Sequence, residues 1–179
     1  MLGTSTTDAL SQLGQVTTYA APIALGVWNS VSDFLIVLIL IGVFVLFARY
    51  VGRGPFVGVI VSFYTAYAIY ATFPYDSYLP SAPAITALAT RVGIYLALVF
   101  FFYIIMRRVV VSDFLYIGSI GLILLSFLTA GFLLALAYHI FPVAPVYHFT
   151  PALDMLFASK TYFFFWFIAP AIGLFFLAH

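Results

Sequence analysis

Cysteine is absent from this chain of 179 residues, which removes disulfides, thiolate nucleophiles, CxxC redox pairs and cysteine metal sites together. Charge is nearly absent as well: six Lys and Arg plus five Asp and Glu make 6% of the residues, beside 66% hydrophobic, with a net charge of +1. Ordinary globular chains are about 25% charged, so these few ionic groups cannot cover a water-facing exterior. Disorder, coiled coil and collagen are excluded by the same composition. Six scattered basic residues also offer a nucleic-acid backbone no patch to hold. A mean hydropathy of +1.23 leaves lipid as the main solvent. The fold class expected is all-α, a polytopic transmembrane helical bundle of four or five spans.

Because a charged side chain at the bilayer centre costs about 2.5–3.5 kcal/mol on insertion scales, the ionic residues should mark membrane rims. The neutral stretches between them predict spans over Trp28–Tyr50, Pro55–Phe73, Ala84–Met106 and Phe114–Ala137. Pro55 sits at a tolerated first-turn position, and Pro142 and Pro145 stop the fourth span. A last apolar run, Thr161–Ala178, measures about 27 Å as a helix. It is expected to be a fifth span, with a re-entrant or interfacial segment as the alternative because Pro170 lies in its middle. The chain thus divides into a polar segment over 1–30, a four-helix core over 31–142, and an outer connection with the apolar tail over 143–179.

Orientation follows the basic residues of short loops. Arg49 and Arg53 join spans one and two, and Arg107 and Arg108 join spans three and four, while Arg91 and Lys160 fall toward the opposite rim. This places both hairpin loops in the cytoplasm of a bacterial inner membrane and the N-terminus outside. Within residues 1–30, Leu10, Leu13 and Ala20 lie near helical spacing and suggest a short interfacial helix capped by Thr7. No basic n-region precedes an apolar run, so no cleaved signal is expected.

Helices associate in lipid through small residues and polar links. Gly54, Gly58, Ser62 and Ala66 recur every four residues in span two, and Ala89, Gly93 and Ala97 do so in span three, with Gly131 and Ala135 as a shorter case. These are expected helix-packing faces, toward this chain or a second copy. The string Val-Ser-Asp-Phe-Leu occurs at Val31–Leu35 and at Val111–Leu115. It reads as shared helix-start chemistry, Ser32 and Ser112 at caps with Asp33 and Asp113 in the first turn, rather than as an inverted transporter repeat. Arg91, about 10 Å below the rim by the helical rise, either snorkels outward or pairs with Asp33 as an intramembrane ion pair.

A haem site needs two histidines facing each other deep in the bilayer. His139, His148 and His179 all fall near rims, so no cofactor or metal is expected. No GxSxG, HExxH, phosphate-binding glycine loop or paired intramembrane carboxylate occurs in the sequence. Asp154 and Lys160 flank a possible short helix, Pro151–Ser159, without a nucleophile beside them. The tyrosines at 64, 67, 70, 75 and 78 fit interface anchoring. An enzyme is not expected.

Asp33 opening the first span, the basic glycine turn Gly52-Arg53-Gly54, a polar outer loop, and Asp113 with Gly118 and Gly121 opening span four resemble the colicin V production protein family. The likeness covers roughly residues 30–142. No basic residue follows Asp113, the first thirty residues are an extension, and the tail is more apolar than the family's. The resemblance implies a non-enzymatic role in envelope maintenance or export and supplies no catalytic residues. The expected function is a structural or accessory membrane protein with a homo-oligomeric or membrane-protein partner. Its competitors are a channel or transporter subunit acting as an oligomer, and an accessory subunit of a larger membrane complex.

Overall fold

The computed structural model describes residues 31–109 and 117–177. The N-terminal segment, the second Val-Ser-Asp-Phe-Leu string with Asp113, and His179 lie outside the described residues. Helices carry the architecture, and no strand occurs among the described residues. α1 spans Val31–Tyr50 and α2 spans Arg53–Ala71. A 3₁₀ turn at Asp76–Tyr78 leads to α3, Ala84–Val109. α4 spans Ser119–Ile140, the short α5 spans Pro151–Phe157, and α6 spans Lys160–Leu177. Five of these helices are long and apolar enough to cross a membrane.

The tight joint between α1 and α2 depends on Gly52. Its φ of 118° lies where a side chain is strained, and an added Cβ would also touch Pro55 Cδ at 3.4 Å. Pro55 follows in the first turn, where its missing N–H costs no helical bond. α4 begins at Ser119 rather than at Phe114, with Gly118 extended at ψ 163° as its cap. It runs on to Ile140, past the expected end at Ala137, and Phe141 leaves the helical region immediately before Pro142, as the residue preceding a proline usually must.

Burial divides the helices into a centre and a periphery. In the most apolar stretch of α4, 61% of residues are buried and in that of α2 44%, whereas α3 and α6 each have 11%. The centre is filled by Phe44 of α1, Phe56, Ile60 and Phe63 of α2, and Leu125, Phe132 and Leu136 of α4. α3 packs along α2, and α6 packs along α4.

Two glycines make the α4–α6 approach possible. A Cβ on Gly131 would lie 2.2 Å from Cζ3 of Trp166, and one on Gly173 would lie 2.8 Å from Leu128 Cδ1. Near the far end of the same pair, Gly121 faces Leu177. The contact therefore follows α6 from Trp166 to Leu177, and the last apolar run is one helix long and apolar enough to cross a membrane, with Pro170 buried inside it.

Small-residue faces meet different fates. Gly54, Gly58, Ser62 and Ala66 are all buried in α2, with Met106 of α3 lying 3.7 Å from a Cβ placed on Gly58. Ala89, Gly93 and Ala97 are exposed on α3, and nothing lies within 4 Å of a Cβ placed on Gly93. α3 turns Ala87, Tyr95 and Val99 inward instead. Tyr64, Tyr67 and Tyr70 also differ from the interface anchors expected. They are half-buried, with Tyr64 stacked on Phe132 at 4.8 Å and Tyr67 edge-on to Phe167 at 5.1 Å. Tyr75 and Tyr78 remain exposed.

Candidate functional site

The chain alternates direction through the bundle, so Arg49, Arg53, Arg107 and Arg108 share one end. Asp33, Arg91, His139 and Lys160 belong to the other. At that second end residues 141–158 form a strap. It leaves α4 at Phe141, turns through Val143–Tyr147 with the bond Tyr147 N to Val143 O at 2.9 Å, and re-enters a helix at Pro151.

Asp33 ties this strap down. Its carboxylate is 1% exposed and accepts two short hydrogen bonds, from Tyr147 Oη at 2.6 Å and from the Thr150 backbone N–H at 2.6 Å. Thr150 caps α5, so the carboxylate satisfies a helix-start donor that would otherwise be buried unpaired. Accepting the phenolic hydrogen bond, the anionic Asp33 also holds the Tyr147 hydroxyl above its ordinary pKa, because losing that proton would set two negative charges against each other.

Three more side chains fix α5. Tyr138 Oη donates to Asp154 Oδ1 at 2.7 Å, and Trp166 Nε1 donates to Leu156 O at 3.2 Å. His139 Nε2 lies 3.0 Å from Phe157 O; a carbonyl only accepts, so this bond requires the proton on Nε2. Leu156 and Phe157 are at the end of α5, where helix carbonyls lack internal partners. The strap covers a cavity of about 190 Å³ lined by Tyr138, Phe141, Tyr147, His148 and Asp154 among others.

The expected ion pair is replaced by this arrangement. The donors on Asp33 are Tyr147 and Thr150, and Arg91 lines a separate cavity of about 360 Å³ with Tyr67, Tyr70, Phe73 and His139. Seven residues into α3, Arg91 is at the expected height but faces α2 and α4. Its neighbour His139 is committed to Phe157, His148 is exposed, and no group of three or more metal-ligating side chains occurs among the described residues. The short helix ends at Phe157, two residues before the expected Ser159. Asp154 is engaged by Tyr138 rather than set opposite Lys160.

Asp33 was legible as a helix-start acid, but its partners were not. Tyr147 and Thr150 lie 114 and 117 positions away, beyond any spacing rule. The one available signal was Pro151 preceded by a threonine, which marks a capped helix start close to the rim.

No family model matches the chain, and no curated protein or solved structure matches it either. The fold and the burial pattern define a class, an all-helical integral membrane protein.

Proposed function

We propose that this protein is a non-enzymatic structural or accessory component of a bacterial cytoplasmic membrane, assembling laterally through α3 with a second copy or with other membrane proteins. One observation carries the reading: α3 keeps Ala89, Gly93 and Ala97 exposed along one face, while the corresponding small residues of α2 and α4 are used inside the chain. Small residues in lipid permit close backbone approach, and among the described residues nothing of this chain covers that face of α3. The polar contacts of the strap support the same role: Asp33, His139 and Trp166 bond its backbone, and Tyr147 and Tyr138 bond the carboxylates of Asp33 and Asp154. The resemblance to the colicin V production family extends the reading to envelope maintenance or export. The basic residues favour an orientation with both arginine-bearing loops in the cytoplasm.

Native mass spectrometry of protein extracted from its own membrane in mild detergent tests this. The expected result is a defined oligomer or a stoichiometric complex that Gly93→Leu reduces to a folded monomer. A wild-type protein that is purely monomeric would remove the reading. A channel or transporter subunit is favoured instead by the cavity beside Arg91. Solute flux through proteoliposomes that disappears on Arg91→Gln would establish that alternative.

A further inference from the structure

At the arginine end a cavity of about 320 Å³ opens between α1, α2 and α4. We propose that it binds the phosphate headgroup of an anionic membrane lipid. Arg49 and Arg53 both line it, and the fixed fork of donors on a guanidinium matches the oxygens of a phosphate. Ser119 adds a hydroxyl from the first residue of α4.

The local backbone favours the same charge. α2 and α4 both begin at this cavity, and neither has an acidic residue in its first turn. Their caps are Gly52 and Gly118, which have no side chain of their own to cover the first N–H groups, and the positive end of a helix favours an anion.

The apolar part of the wall separates a lipid from a free anion. Val45 and Ile123 continue the cavity toward the membrane interior, and Ile123 is 55% exposed. A soluble phosphate gains nothing from such a wall, whereas an acyl chain lies along it. Arg49 is one residue from the end of α1, and Arg53 and Ser119 open their helices. The cationic part therefore sits at headgroup level, where basic pockets between spans hold anionic lipids. Arg107 and Arg108 share this end of the bundle but are exposed and do not line the cavity, which makes them an internal control.

The test uses delipidated full-length protein and native mass spectrometry, with phosphatidylglycerol, phosphatidylcholine and inorganic phosphate added separately. Wild type should retain one phosphatidylglycerol with about tenfold preference over phosphatidylcholine, the scale of one good charge-assisted contact. Arg49→Gln with Arg53→Gln should abolish the preference, and Arg107→Gln with Arg108→Gln should leave it. Ile123→Trp, which fills the apolar wall with both charges intact, should weaken lipid retention. Should the double variant fail to fold, Arg49→Gln alone decides, because Arg49 is exposed. Equal losses from the two arginine pairs, or no discrimination between the lipids, would overturn the site. Displacement of the lipid by inorganic phosphate at matched concentration would overturn the lipid assignment.

Discussion

Replacing Gly131 by alanine probes the docking of α6 on α4. The new Cβ would lie 2.2 Å from Cζ3, 2.4 Å from Cε3 and 3.1 Å from Cη2 of Trp166, where carbon atoms ordinarily rest about 3.5–4.0 Å apart. The ring must retreat by roughly 1.5 Å to restore that separation. It is held against retreat: Nε1 is bonded to Leu156 O, and the Phe157 and Phe127 rings lie 5.0 and 6.0 Å away. Overpacking of this kind costs about 1–3 kcal/mol, and helix propensity returns up to about 1 kcal/mol when glycine becomes alanine. The net expectation is a loss of about 1–2 kcal/mol, or five- to thirty-fold in the folded ratio.

Reversible unfolding in mixed micelles, followed by helical circular dichroism, reads this directly. In the monomer, Gly93→Ala supplies the comparison, since nothing within the chain lies within 4 Å of its Cβ and only the propensity gain remains. In a Trp166→Leu background the loss at Gly131 should disappear, as coupling between contacting residues requires. If Gly131→Ala were as stable as Gly93→Ala, α6 would not lie against α4 at this point and the fifth helix would have to be placed elsewhere.

Three other expectations follow from the strap and the helix order. Asp33→Ala strands the buried Thr150 N–H, a cost of about 1–3 kcal/mol, and should expose residues 141–158 to limited proteolysis; unchanged protection would show that Asp33 does not hold the strap. Tyr147 has a pKa raised by its bond to Asp33, so its contribution is complete below the ordinary tyrosine pKa of about 10 and is lost as pH rises through the higher folded value. Wild type should therefore lose strap protection in strong alkali while Tyr147→Phe, already weakened, shows no such step, as hydrogen exchange across the pH series would reveal. Because the chain has no native cysteine, Arg53→Cys, Arg107→Cys and Asp154→Cys can be labelled singly. The first two should react from one face of sealed vesicles and the third from the other.

The spans were readable because the cost of charge in hydrocarbon acts on composition alone. Arg53 and Arg107–Arg108 stand within the first or last turn of the helices they bound, as a rim should. The same cost fixes only height. Arg91 is seven residues into α3, but depth carries no information about direction around the helix axis, and Arg91 lines a cavity with residues of α2 and α4. Small-residue faces have a similar limit. The stripe of α2 and the exposed stripe of α3 are alike in sequence, and only the large residues opposite them decide which is covered. Gly173 went unnoticed because its partners, Leu125 and Leu128, belong to another helix.

Hydrogen bonding explains why tyrosines of α2 and α3 reach inward. Ser62, Ser126 and Thr129 are buried, and each returns its hydroxyl to the carbonyl four residues earlier, at 2.6, 2.8 and 2.7 Å. These three short side chains satisfy themselves on their own helix. Tyrosine is long enough to cross. Tyr64 of α2 donates to Phe167 O of α6 at 2.5 Å, and Tyr95 of α3 donates to Phe63 O of α2 at 3.0 Å. Each uses the second lone pair of a carbonyl already in a helix, so no helical bond is surrendered. α2 is thereby tied by side-chain hydrogen bonds to both peripheral helices, and the ring of each tyrosine fills the gap its hydroxyl bridges.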